Sequence, residues 1–145
     1  MNPMKIRQLS VFLENRPGRL AALSRTLADA GVNLSTLMLS ETGEFGLLRI
    51  ITPDADQARA VVEKAGYAST LSEVVAIQVP DKPGGLAALL IALEPHKISI
   101  EYMYAYVCRH GRAIMLIRFS ELDRAIDVLQ KAGFTVVSHA ELFKT

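Results

Sequence analysis

The chain has 145 residues, half of them hydrophobic, with 16 Lys and Arg against 15 Asp and Glu for a formal charge of +1. That balance fits a compact globule and gives little support to a nucleic-acid partner, which requires a basic face. The single cysteine, Cys108, excludes an intrachain disulfide or a multi-cysteine metal site and fits a reducing cytoplasm. No apolar run approaches the roughly 18 residues of a membrane span, and the N-terminus lacks the order of a signal peptide, so a cytoplasmic location without membrane contact is expected.

In chain order, Ile6 to Leu13 is mostly apolar on both alternating sides, with β-branched and aromatic members, and reads as a well-covered strand. Pro17 is expected in the first turn of a helix, where its missing N–H costs nothing, with Leu20, Leu23, Leu27 and Ala30 on the apolar face. Gly31 closes that helix. Val32 to Ser40 and Phe45 to Thr52 read as a hairpin around Thr42-Gly43-Glu44. A second helix from Pro53-Asp54 runs to Gly66, and Tyr67 to Leu71 makes a last strand.

The same βαββαβ order then returns. Strand Val74 to Val79 leads to a helix from Pro83 to about Glu94. Hairpin strands Ile98 to Cys108 and Arg112 to Phe119 follow, around His110-Gly111, and then helix Leu122 to Lys131 and strand Phe134 to Val137. The clearest echo is Asn15-Arg16-Pro17-Gly18-Arg19-Leu20-Ala21-Ala22-Leu23 against Asp81-Lys82-Pro83-Gly84-Gly85-Leu86-Ala87-Ala88-Leu89. A one-residue shift between the copies accumulates by the end of the chain, which an insertion in the second hairpin loop would produce. Ser138 to Thr145 form a tail expected to pack on a sheet. The division falls at 1–72 and 73–145, two units of roughly 70 residues that each bury a core only marginally alone. The fold expected is α+β: two ferredoxin-like sandwiches in tandem, joined edge to edge, each with two helices on one face of a four-stranded antiparallel sheet.

Each Pro-Gly turn sits where a strand passes into a helix, and exposed amides at a helix N-terminus hold anions. An α-amino acid needs backbone donors for its carboxylate and oxygen acceptors for its ammonium. The amides after Pro17 and Pro83 supply the first; the Asn15 carbonyl and the Asp81 carboxylate supply the second. Gly18 and Gly84 leave the backbone open to approach.

Glu14-Asn15-Arg16-Pro17-Gly18, then Leu20 and Ala22-Leu23, then Gly31-Val32-Asn33-Leu34, resembles an ACT domain, the amino-acid-sensing module of biosynthetic enzymes, and is most similar to the serine-sensing one of phosphoglycerate dehydrogenase. Residues 6 to 71 carry the likeness well and 74 to 137 more loosely, and the chain as a whole resembles stand-alone tandem ACT proteins. The resemblance implies amino-acid binding and no catalysis; a homodimer without a cofactor, whose bound state a partner enzyme or regulator reads, is the working form expected. In the 4-1-3-2 strand order, pairing through the second strands would bring loop 15–20 against Ser99, Ile100 and Glu101, and loop 81–86 against Val32, Asn33 and Leu34. The ligand-binding residues expected are therefore Asn15, Arg16, Pro17, Gly18, Arg19 and Leu20 with Asn33 and Leu34, and Asp81, Lys82, Pro83, Gly84, Gly85 and Leu86 with Ser99, Ile100 and Glu101. Neither cleft would hold both asparagines unless a second chain pairs like with like. The serine sensor has a histidine where this chain has Leu13, echoed by Val79. An apolar wall at that place favours a branched-chain or aromatic amino acid over serine.

Tyr102, Tyr104 and Tyr106 form a period-two stripe with Ile98 and Ile100, either a wall for ligand or dimer, or core with the hydroxyls satisfied at the edge. His96, His110 and His139 are dispersed without metal-ligand spacing and are expected in exposed loops and the tail. Cys108 has no activating base in view. An acylphosphatase-like enzyme on this fold lacks its glycine-rich loop, a copper carrier lacks Cys-x-x-Cys, and an RNA-binding sheet would need more aromatics than Phe12 and Phe45. A ligand-free interaction subunit of a metabolic enzyme remains the alternative to sensing.

Overall fold

The computed structural model describes residues 2–109 and 111–144, without the side chains of Thr42, Cys108 and Arg109. His110, expected in the second hairpin turn, lies outside the described residues. The chain divides into two compact units: Arg7–Ser72, and the residues from Glu73 onward together with those up to Ile6.

In the first unit, strand β1 (Ile6–Glu14) leads to helix α1 (Arg19–Asp29). The hairpin β2 (Thr36–Thr42) and β3 (Phe45–Ile51), helix α2 (Ala55–Lys64) and the start of β4 (Ser69–Pro80) follow. The strand order is β2-β3-β1-β4, with β1 and β3 antiparallel and β2 antiparallel to β3, so β2 runs parallel to β1 as the outer strand. Leu9, Val11 and Leu13 of β1 and Leu48 and Ile50 of β3 share one face with Leu23 and Leu27 of α1 and Ala58 and Val62 of α2, and together they form the core.

The second unit repeats this with the rest of β4, α3 (Gly85–Leu93), β5 (Ile100–Arg109), β6 (Arg112–Phe119), α4 (Leu122–Lys131) and β7 (Thr135–Val137), in the order β5-β6-β4-β7. Its core joins Val75, Ile77 and Val79 to Leu89, Leu93, Ile117, Phe119, Ala125 and Leu129. A short helix α5 (His139–Leu142), capped by the Ser138 hydroxyl accepting from the Glu141 amide, is the expected tail. Lys5 pairs with Asp123 of α4 at 2.7 Å, and the hydrogen bond to that carboxylate raises its pKa above the usual lysine value. Among the described residues β2 bonds to β3 alone and β5 to β6 alone, leaving the outer edge of each without a strand partner.

Four expectations change in physical detail. The strands expected at Tyr67–Leu71 and Val74–Val79 are one strand, Ser69–Pro80, because no turn residue interrupts the extended run through Ser72 and Glu73. Neither first helix begins at its proline: the caps are Gly18 and Gly84, both left-handed at φ 87°, and the first helical residues are Arg19 and Gly85. The one-residue shift arises within β5, not in its loop. Ala105 pairs with Met115 but Val107 with Ile114, so Tyr106 is the extra residue of a β-bulge. A further irregularity between Ile100 and Tyr102 breaks the tyrosine stripe: Ile98, Ile100 and Met103 pack on the core, and Tyr102 and Tyr104 take the opposite face from Met103.

The capping geometry separates the glycines by cause. A Cβ on Gly18 would meet nothing within 4 Å, so glycine is required there by its backbone angle, not by crowding. A Cβ on Gly85 would lie 2.0 Å from the Pro80 carbonyl oxygen, so at this place the copies differ because the second helix sits closer to its strand. Gly31, at φ 75°, ends α1 with Val32 N–H donating to the Leu27 carbonyl at 2.9 Å. The matching residue after α3 is Lys97, which takes φ 55° at a conformational cost that Gly31 does not bear.

Urea unfolding separates these causes. Gly18→Ala is expected to cost about 1–2 kcal/mol from backbone strain alone, Gly85→Ala about 3 kcal/mol from the clash, and Lys97→Gly to stabilise by less than about 1 kcal/mol.

Candidate functional site

The turn from β1 into α1 leaves its donors open. Arg19 N–H bonds back to the Arg16 carbonyl at 3.3 Å and Ala22 N–H to the Gly18 carbonyl at 3.0 Å, while no side chain caps the helix. The amides of Leu20 and Ala21 in the first turn therefore find no acceptor among the described residues. The turn from β4 into α3 is built alike, with Gly85 N–H on the Lys82 carbonyl and Ala88 N–H on the Gly84 carbonyl, each at 3.0 Å. Asn15 N–H bonds to the Glu44 carbonyl and Asp81 N–H to the Gly111 carbonyl, both at 2.8 Å, so the two residues occupy equivalent backbone places.

A cavity of about 550 Å³ opens at the first turn, lined by Asn15, Arg16, Pro17, Gly18 and Leu20 of the expected set. Leu13, Leu20 and Leu39 give it an apolar wall. The structure adds Glu41, which sequence reasoning missed. Glu41 pairs across β2 and β3 with Gly46, and Gly46 pairs with Leu13, so the three form one row across the sheet below the turn. Asn15 Nδ2 donates to Glu41 Oε2 at 2.8 Å and to the Gly43 carbonyl at 3.1 Å. With its donors engaged, the amide presents Oδ1, the acceptor that an ammonium group needs.

The charges at the rim are already matched. Arg16 Nε lies 2.8 Å from Glu14 Oε2 and Arg19 Nη2 3.6 Å from Glu14 Oε1, all of them solvent-accessible. Such pairs contribute little to stability and rearrange readily, so the Arg16 guanidinium can turn toward an anion in the cavity, whereas Arg19, also expected there, does not line it.

The second unit holds a cavity of about 480 Å³ in the corresponding place, lined by Asp81, Lys82, Pro83 and Leu86 of the expected set with Val79, Ala113 and Met115. Its row across the sheet is Val79, Ala113 and Cys108, so the strand position of Glu41 belongs to a cysteine in this copy. The two cavities differ twice over: Asn15 is replaced by Asp81, and its carboxylate neighbour has no counterpart. Gly84 and Gly85 shape the turn without lining it.

The remaining expected residues lie elsewhere within their own units. Asn33 is exposed in the connection from α1 to β2, whereas Leu34 packs on the core of the first unit. Ser99 exchanges hydrogen bonds with Ser120, its N–H donating to the Ser120 hydroxyl and its carbonyl accepting from the Ser120 N–H. Ile100 packs on the core of the second unit, and Glu101 pairs with Arg118 Nε at 3.3 Å. None of the five lines the cavity of its own unit. His96 and His139 are exposed, and no group of three metal-ligating side chains occurs among the described residues. No described helix is long and apolar enough to cross a membrane.

A family model described as an ACT domain pair matches residues 4–145. The crystal structure of protein BT0572 from Bacteroides thetaiotaomicron is 37% identical, with a TM-score of 0.91 and 98% of each chain covered. The regulatory subunit of aspartate kinase from Thermus flavus shares the fold at 15% identity and a TM-score of 0.62, covering 91% of this chain and 94% of its own. Its counterpart from Thermus thermophilus, in a ligand-free form, does so at 16% identity and the same TM-score, covering 88% and 92%. No curated protein matches the chain.

The Asn15–Glu41 contact is open to a double-mutant cycle. Asn15→Ala and Glu41→Ala are expected to couple by about 0.5–1 kcal/mol in chemical unfolding; additive effects would show that Glu41 does not hold the amide.

Proposed function

Because the chain belongs to the ACT domain pair family, whose domains are small-molecule-binding regulatory modules, we propose that it senses a free amino acid and signals to a partner enzyme without catalysing a reaction itself. The observation that carries this reading is the 550 Å³ cavity at the start of α1, where uncapped amides, the Asn15 acceptor and a leucine wall converge. The carboxylate of the ligand would accept from the Leu20 and Ala21 amides, its ammonium would donate to Asn15 Oδ1, and its side chain would lie against Leu13 and Leu39. That wall favours a branched-chain or aromatic amino acid. The site at Asp81 is proposed as the altered copy, because a free carboxylate replaces the oriented amide.

The working form proposed is a cytoplasmic homodimer. The open edge of β2 with its exposed Leu37 and Leu39 supports strand pairing with a second chain. So does α3, whose nine residues carry no charge and expose Leu86, Leu90 and Ile91. A helix apolar on every side is ordinarily covered, and the matching outward positions of α1 are Ser24 and Arg25. In this dimer Asn33 or Ser99 of one chain would complete a cleft of the other. Ligand bridging would then favour the closed pairing by its differential affinity for that arrangement.

A thermal-shift screen of the twenty amino acids tests the sensing. One or a few apolar members are expected to stabilise the protein, by about 2.7 kcal/mol at 100 times the dissociation constant, and Asn15→Ala to abolish the shift. Silence with all twenty would leave the interaction subunit as the reading. For the dimer, sedimentation of the Leu90→Ser, Ile91→Arg double variant is expected to show monomer where the unmodified chain shows dimer, with thermal stability lowered by no more than the loss of association accounts for.

A further inference from the structure

The face of the second unit's sheet opposite α3 and α4 has its own cleft. Gln78 of β4 pairs with Ile114 of β6, and the neighbouring Pro80 with Arg112, so Gln78, Ile114 and Arg112 all lie on this face, alternating with the core residues Ile77 and Val79. Helix α5 and Lys144 beyond it form the other wall, and the space between is about 540 Å³. The bulge residue Tyr106 holds that wall, its hydroxyl donating to the Leu142 carbonyl at 3.4 Å. Val107, Ile114 and Leu142 supply an apolar lining.

Two cations line this cleft with no carboxylate partner among the described residues, Arg112 and Lys144. The Gln78 amide is satisfied when its oxygen is assigned to the atom facing Arg112, where it accepts from Nε at 3.0 Å and from Nη1 at 2.7 Å. That grip uses one edge of the guanidinium and leaves the fork of its two Nη groups, the arrangement that takes a carboxylate in two parallel hydrogen bonds. The cleft's single acid, Glu141, accepts from the Ser138 hydroxyl at 3.2 Å. The other unit offers an internal control: its residues in the places of Gln78 and Arg112 are Phe12 and Phe45, both exposed, and β2 has no bulge to match Tyr106. The cleft is thus a property of one copy and separate from the Pro-Gly turns.

We propose that this cleft is a second ligand site, for a small carboxylate with an apolar body. The carboxylate pairs with the free fork of Arg112 and with Lys144, and the body lies against Tyr106, Val107, Ile114 and Leu142. A zwitterionic amino acid fits less well, since the one acid present already accepts from the Ser138 hydroxyl. Because α5 forms a wall, occupancy fastens the tail to the sheet.

Titration of the ¹⁵N-labelled full chain with 4-phenylbutyrate tests this directly. Saturating shift changes are expected at the amides of Tyr106, Val107 and Leu142 and at Arg112 Nε–H, with Arg112→Gln weakening binding about tenfold or more. Lys144→Gln, at an exposed position, provides a second variant should the first fail to fold. Changes centred on residues 15–20 or 81–86, equal affinity in both variants, or equal binding of the neutral 4-phenylbutanol would each overturn the proposal. The same shifts from inorganic phosphate at the same concentration would overturn the apolar body.

Discussion

Both units depend on one backbone constraint, the left-handed glycine that turns β1 into α1 and β4 into α3. With φ at 87° at Gly18 and Gly84, the chain reverses within a few residues and lays an apolar helix face back over the strand it has just left. The core of each unit is assembled across that reversal, Leu9 and Val11 against Leu23 and Leu27 in one, Ile77 and Val79 against Leu89 and Leu93 in the other. The same reversal leaves the first-turn amides without side-chain caps beside the end of the sheet. The fold of each unit and the open amides of its candidate site therefore rest on one geometric device, the torsion angle of the glycine.

The copies have diverged at points the shared fold tolerates. An oriented amide over Glu41 becomes Asp81 beside the position of Cys108, and an arginine at the helix start becomes a glycine under a strand carbonyl. A bulge adds Tyr106 to one hairpin, and the aromatic pair Phe12 and Phe45 becomes Gln78 and Arg112 under a tail. The core rows stay apolar in both, because their replacement would cost stability directly. Change has concentrated where side chains face cavities or solvent.

The duplication, the βαββαβ order, the helix at 122–131 and the strand at 112–119 were legible because each rests on a local signal: periodicity of 3.6 or 2, a turn residue, or a repeated phrase. The missing signals were of another kind. Glu41 is one polar residue in a strand of mixed character, and it matters through a row across three strands set by two registers. Tyr106 continues a period-two stripe in sequence, and its bulge exists only relative to its partner strand. Gly85 reads as permissive, yet it is dictated by a carbonyl on the preceding strand.

The sequence by itself determined most of the elements, the repeat and the residue types at the two turns, since turn type, helix face and strand alternation follow from residues a few positions apart. Which acid fixes Asn15, why the helix starts differ, where the extra residue sits and how Gln78 grips Arg112 were decided only by tertiary structure. The physical reason is that those relations depend on cross-strand register and on the distance of a helix from its sheet, quantities that arise when distant segments pack and that no local pattern encodes.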